Sequence, residues 1–303
     1  MLASPIVARR NKPPPNKERP KAMKLLRYVA GDEVRPGILD ADGAIRDLSS
    51  IVPDIDADAV SPEGLALIAA IDPMSLPKVT GEVDIAPPVD TPSKIVCIGL
   101  NYSDHAAEVG MQPPSEPIIF LKSATALTGP GGPILQPPHS TELDWEVELC
   151  IIVGTEASYV DEDEALDYVA GYAVGNDISE REFQTKRPGG QWTKGKSGDT
   201  FAPVGPWLVT KDEIPDPGNL KLWLEVNGEM MQDGTTATLI FGVRKIVSFV
   251  SEYMTLLPGD IIMTGTPPGV GAGKKPPRFL QPGDRMRLGI DGLGEQDQIV
   301  VAR

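Results

Sequence analysis

The chain has 303 residues, 41% hydrophobic and 23% charged, with a formal net charge of −15. That length suggests about two domains at roughly 150 residues each, with enough apolar sequence for a sizeable core. The acidic excess disfavours a nucleic-acid partner, no apolar run approaches the ~18 residues of a membrane span, and Cys97 and Cys150, both in apolar stretches, suit a reduced cytoplasmic protein.

Residues 1–22 carry Arg9, Arg10, Lys12, Lys17, Arg19 and Lys21 against Glu18 alone, with Pro13-Pro14-Pro15 among them. No apolar h-region follows, so the segment reads as a disordered basic, proline-rich extension, or as sequence ahead of a start at Met23, and not as a secretory signal. A transit peptide is the alternative, weakened by the prolines. Residues 23–90 form a small N-terminal domain of short strands and turns. Asp42-Gly43 marks a hairpin-type turn there, and Ser61-Pro62-Glu63 caps a short helix bearing Leu65, Leu67 and Ile68. Asp54, Asp56 and Asp58 lack the Gly and Glu of a calcium loop and read as a solvated face. Pro87-Pro88-Val89-Asp90-Thr91-Pro92 joins this segment to residues 91–303, expected to form the second, larger domain.

Beyond the join, strands are expected at 94–98, 117–121, 145–153, 171–176, 222–226, 259–264 and 285–290, with a hairpin turn at Asn227-Gly228. Ile246, Phe249, Val250, Tyr253 and Leu257 repeat at helical spacing, ended by Pro258-Gly259. There is no regular alternation of strand and helix. The expected class is α+β with β dominant, a sheet-rich roll or sandwich.

Asp144-Trp145-Glu146-Val147-Glu148-Leu149 is the most informative stretch. In a strand, Asp144, Glu146 and Glu148 share one face while Trp145, Val147 and Leu149 share the other. Carboxylates aligned on a buried strand repel unless a positive ion sits among them, and an all-oxygen set suits magnesium, manganese or calcium better than zinc. A solvated acidic face on an edge strand remains the alternative. Asp177 ends the apolar strand of Gly175-Asn176 and offers a third ligand; Ser179-Glu180-Arg181-Glu182 after it reads as a capping box opening a helix.

His105 and Glu108 lie three apart on a short helix ended by Gly110. That spacing lets a carboxylate orient an imidazole and raise its basicity, as a general-base pair requires, although an incidental surface pair has the same spacing. The glycine-rich stretch 264–271 allows close approach of a ligand but fits neither a phosphate loop nor a dinucleotide fingerprint, so no nucleotide or organic cofactor is expected. Lys194 and Lys196 lie in a loop, where one fixed lysine could pair with a substrate anion.

Together these motifs resemble the fumarylacetoacetate hydrolase superfamily. Gly99-Leu100-Asn101-Tyr102 with Asp104-His105 and Glu108, Asp144 to Leu149, Asn176-Asp177-Ile178-Ser179 with Arg181 and Gln184, Gly195-Lys196-Ser197, and Thr264-Gly265-Thr266-Pro267 with Gly269-Val270-Gly271 occur in consistent order from about Lys94 to the C-terminus. Gln191 to Lys196 and Gly205 to Thr210 resemble a bacterial subgroup of 2,4-diketo-3-deoxy sugar acid hydrolases and proteins labelled ureidoglycolate lyases.

The resemblance implies a mixed β-sandwich roll with a small N-terminal domain, usually a homodimer. It implies magnesium or manganese on Glu146, Glu148 and Asp177, water activation by His105 and Glu108 on a lid segment, and Lys196 stabilising the developing enolate. Arg181, Gln184 and Thr266 match substrate contacts. The activity implied is C–C hydrolysis of a 2,4-diketo acid to pyruvate and a second acid, with a sugar-acid tail favoured by the subgroup. Oxaloacetate decarboxylation, hydroxymuconate-type isomerisation and decarboxylation, and ureidoglycolate lyase-like activity are the alternatives within the resemblance, and a non-catalytic binding scaffold is the one outside it. Gly198 stands where Phe is common, which is expected to widen the pocket.

Overall fold

The structure, a computed structural model, describes residues 22–108 and 110–303. Apart from Ala22, the basic extension expected at 1–22 lies outside the described residues. Among them, no helix is long and apolar enough to cross a membrane.

The β-dominated α+β architecture is present. The larger sheet runs in the order Ile45–Asp47, Glu33–Leu39, Lys24–Ala30, Ala202–Thr210, Val169–Asn176, Val147–Val153, Ile261–Met263, Ile95–Gly99, Ile118–Lys122. Most neighbours are antiparallel, but Ile261–Met263 runs parallel to Ile95–Gly99, which makes the sheet mixed. A second sheet orders Glu229–Thr235, Lys221–Val226, Arg285–Ile290, Gly294–Ala302 and Pro133–Gln136. The central strands Val147–Val153 and Val169–Asn176 are buried at every position, as expected of near-continuous apolar runs covered on both faces.

Two connections matter for the site. The N-terminal strand Lys24–Ala30 pairs with Ala202–Thr210, Lys24 opposite Val209 and Leu25 opposite Leu208, so residues 23–90 extend the main sheet and share its apolar core. Buried amides link the two sheets: Gln296 donates to Val174 O and Gly205 O, Asn176 donates to Gln298, and Gln232 accepts from Val147 N.

Local signals account for several elements. Ser61 Oγ accepts from Gly64 N at the start of the helix Pro62–Ala69, with proline at its first position. Asn227 and Gly228 both take positive φ between paired strands. The helix expected to reach Pro258-Gly259 ends sooner, at Val243–Tyr253. Met254 is already extended there, and Leu256 forms a bridge with Ala157 in place of a further helical turn.

Candidate metal centre and its neighbouring base pair

Glu146, Glu148 and Asp177 come together, each offering one carboxylate oxygen within 4.8 Å of the others, and all three are buried. Glu148 is placed by the strand Val147–Val153. Glu146 lies just before it, where the chain leaves the ladder between Leu143–Asp144 and Val147. Its position is fixed by its own backbone, since Glu146 N donates to Asn176 Oδ1 and Glu146 O accepts from Asp177 N.

Asp144 stands outside this cluster. It receives Arg181, which also reaches Glu146, and backbone amides of the glycine loop. The capping box is corrected: Ser179–Glu180 is a short strand paired with Leu143–Asp144, and the turn after it is a single π-type turn, Glu182–Lys186. Ser179 Oγ bonds Asp177 O, and the carboxylate that accepts from Phe183 N is that of Glu180.

Three cations surround the acids. Lys196 Nζ donates to Glu146 Oε2 at 2.9 Å and to Asp177 Oδ2 at 2.7 Å. Arg181 bonds Asp144 through Nε at 2.8 Å and places Nη2 2.7 Å from Glu146 Oε1. Lys122, absent from the expected set, puts Nζ 2.6 Å from Asp177 Oδ1 and donates to Ile178 O and Lys196 O. The contacts at Asp177 Oδ1 and Arg181 Nη2 lack hydrogen-bond alignment, which leaves an oxygen lone pair on Asp177 without an aligned donor.

Burial would lower the Lys196 pKa, but Asp177 and Glu146 outweigh it and hold the ammonium above its ordinary range. Burial would raise Glu146, yet Lys196 and Arg181 pull it well below the usual carboxylate range. Glu148 goes the other way: burial, then Asp177 and Glu146, push it well up, and the amide of Gly265, 2.8 Å from its Oε2, offsets little of that. A buried carboxyl facing two anions, beside an oxygen with no aligned donor, fits an oxygen-ligated divalent cation. The residues present therefore suit magnesium or manganese.

His105 and Glu108 pair on the helix Ser103–Glu108, Nδ1 to Oε2 at 2.9 Å. Burial would raise Glu108, but His105 and the Gly269 amide, 2.9 Å from Oε1, outweigh it and hold it below the ordinary range. An ionised carboxylate can only accept, so Nδ1 is the donor of this pair, and in a neutral imidazole Nε2 is then the acceptor. The glycine loop links this pair to the acids, Gly265 N donating to Glu148 Oε2 and Gly269 N to Glu108 Oε1.

Gln184 is buried and accepts from Arg181 Nη1 at 3.1 Å. Thr266 is also buried, its hydroxyl donating to Val147 O and accepting from Gln232. The widening expected at Gly198 is not found: a Cβ there would lie 2.9–3.0 Å from the Phe201 ring, which fills that space. Gly99, by contrast, leaves room for Trp192, whose ring stands edge-on to Phe120 at 5.4 Å.

Residues 94–301 match the family described as fumarylacetoacetate (FAA) hydrolase, C-terminal. A Burkholderia ambifaria protein, named only provisionally as a hydrolase, is 57% identical over 277 residues, 91% of this chain and 98% of its own. Fumarylacetoacetate hydrolase from Exiguobacterium antarcticum superposes with a TM-score of 0.83 at 35% identity, covering 93% of this chain and 100% of that one. Maleylpyruvate hydrolase from Sphingobium sp. SYK-6, in complex with manganese(II) and pyruvate, gives 0.76 at 33% identity, covering 92% and 99%. The chain belongs to the fumarylacetoacetate hydrolase family.

Proposed function

We propose that this member of the fumarylacetoacetate hydrolase family is a magnesium- or manganese-dependent hydrolase that cleaves a C–C bond of a 2,4-diketo acid, giving pyruvate and a second carboxylic acid. The observation that carries the reading is the buried Glu146–Glu148–Asp177 triad beside an oriented His105–Glu108 pair. The maleylpyruvate hydrolase bound to manganese(II) and pyruvate supports it by likeness.

Charge supports an acid substrate. Asp144, Glu146 and Asp177 are balanced by Lys122, Arg181 and Lys196, and Glu148 resists ionisation. A divalent ion would let Glu148 ionise and leave the cluster with one net positive charge, which favours a carboxylate ligand. When bound, the ion supplies Lewis-acid stabilisation of charge on the 2-keto oxygen.

The remaining work falls to side chains. His105 Nε2 takes a proton from water as the water oxygen bonds C4, the distal carbonyl carbon, whose π pair moves onto its oxygen, and Glu108 stabilises the imidazolium. That oxyanion re-forms its C=O bond as the C3–C4 bond breaks, the C3–C4 electron pair passes into the pyruvate enolate, and the proton held by His105 returns to C3 to complete pyruvate. Lys196 holds a fixed positive charge beside the developing anion. Arg181 and Gln184, bonded to each other, are the residues expected to orient the acid, and the Thr266 hydroxyl is engaged with Val147 O and Gln232. A sugar-acid tail on the substrate rests on the subgroup resemblance, since Gly198 adds no space.

The test is product analysis on a panel of 2,4-diketo acids and oxaloacetate with magnesium. The proposal expects one pyruvate and one second acid per diketo acid consumed. Release of carbon dioxide from oxaloacetate with the diketo acids untouched would overturn it in favour of a decarboxylase.

A further inference from the structure

Asp144 stands in the acidic stretch of the sequence but outside the carboxylate triad. It is completely buried and fully bonded. Oδ1 accepts from Trp145 N at 2.9 Å and Gly271 N at 2.7 Å, while Oδ2 accepts from Arg181 Nε at 2.8 Å and Ala272 N at 3.0 Å. Four donors use essentially all the acceptor capacity of an ionised carboxylate. Two of them are consecutive amides of one turn, which is therefore fastened to a buried anion by charge-assisted bonds.

The same loop grips Glu108 on either side of that fastening. Gly269 N donates to Glu108 Oε1 at 2.9 Å, and Gly269 O is itself held by the Trp145 indole. A Cβ on Gly273 would lie 2.9 Å from Glu108 Cδ and 3.1 Å from both its oxygens. Gly271 has no room for a side chain either, since its Cβ would meet Arg278 O and come 2.7 Å from Asp144 Oδ1. Glu108 sits at the end of a six-residue helix, too short to fix its carboxylate unaided.

We infer that Asp144 is a positioning residue for the base pair: by pinning the Gly271–Ala272 turn, it holds the loop that sets the carboxylate of Glu108 against His105. The inference rests on the proposed role of Glu108. It also accounts for the glycines of this stretch, which bring backbone amides to Glu108, Asp144 and Glu148 without serving any phosphate.

Asp144→Asn keeps the volume but turns an NH₂ group toward donors that need an acceptor. Misplacement of a reacting group by about 1 Å can cost about 10²-fold, so a fall in kcat of roughly 10- to 100-fold is expected on an acylpyruvate with magnesium. In a Glu108→Gln background the same change should cost less than about threefold, because the group it positions is already gone. Gly273→Ala tests the placement of Glu108 from the other side, since the atoms nearest its methyl are those of the Glu108 carboxylate. Its methyl displaces only the end of a flexible carboxylate, so kcat should fall with KM unchanged, and the effect should vanish in Glu108→Ala. Amide exchange at Gly271 and Ala272 should quicken in Asp144→Asn.

The inference is overturned if Asp144→Asn costs the same factor with Glu108→Gln as without it, or if Gly273→Ala keeps the wild-type kcat. Should Asp144→Asn fail to fold, Ala272→Pro decides in its place: it deletes one of the two pinning amides and leaves the Asp144 and Glu108 side chains in place, so kcat should fall in the wild-type background and barely change in Glu108→Gln, and equal losses in both would overturn the inference. Full turnover by Glu108→Gln itself would remove the base-pair reading and this inference with it.

Discussion

Lys122→Met removes a buried charge while nearly keeping the length of the side chain. The Lys122 side chain is fully buried, its ammonium 2.6 Å from Asp177 Oδ1, 3.0 Å from Ile178 O and 2.6 Å from Lys196 O. The substitution leaves a buried carboxylate oxygen without its nearest cation and two carbonyls without a donor. Removing one partner of a buried pair costs about 3–5 kcal/mol, and the lost carbonyl bonds overlap with that figure and are not added. At roughly 2–4 °C per kcal/mol, Tm in the presence of chelator should fall by about 6–20 °C. With saturating magnesium the fall should be smaller, because a divalent ion restores positive charge beside Asp177. Differential scanning calorimetry with and without the ion measures both. A fall of less than about 2 °C with chelator, or the same fall in both conditions, would refute the argument that Lys122 compensates Asp177.

Three further outcomes are expected. Glu146→Ala removes one oxygen ligand, and calorimetric titration should show weakened magnesium binding; unchanged affinity would remove Glu146 from the ligand set. His105→Ala should lower turnover by roughly 10²–10⁴-fold while magnesium binding persists, and near-normal turnover would rule it out as the base. Glu148 has a folded pKa above its unfolded one, so its stabilising effect is complete below the unfolded value and is lost as pH rises through the folded value. In the presence of chelator, Glu148→Gln should therefore lose less stability than the wild type as pH rises beyond the ordinary carboxylate range and through the raised folded value. Parallel declines of Tm with pH would count against that charge assignment.

The sequence made some parts of this site legible and hid others for physical reasons. Glu146 and Glu148 can be picked out by alternation in an apolar stretch, but alternation carries no sign that Asp144 is taken up by Arg181 and the amides of Gly271 and Ala272, which lie far off in sequence. Asn176 and Gln232, which hold Glu146 N and Val147 N, carry no local signal, since each acts across a long sequence separation. Lys122 closes an apolar strand and looks like an ordinary solvated end; only the fold brings Asp177 and the carbonyl of Lys196 to it. The strand Ala202–Thr210 was masked by Pro203 and Pro206, residues that argue against a central strand. Its ladder with Val169–Asn176 shifts register between Tyr172 and Val174, and Pro206 falls in that irregular stretch. His105 and Glu108, three apart on one short helix, were readable because spacing alone brings them together.

The central claim is that a divalent ion on Glu146, Glu148 and Asp177 is required for C–C hydrolysis. Its most direct test is turnover of an acylpyruvate by protein stripped with chelator and then titrated with magnesium or manganese, followed by loss of the enol absorbance and appearance of pyruvate. The account predicts no turnover when stripped and full recovery as one ion binds per chain. Undiminished turnover by the stripped protein would contradict it.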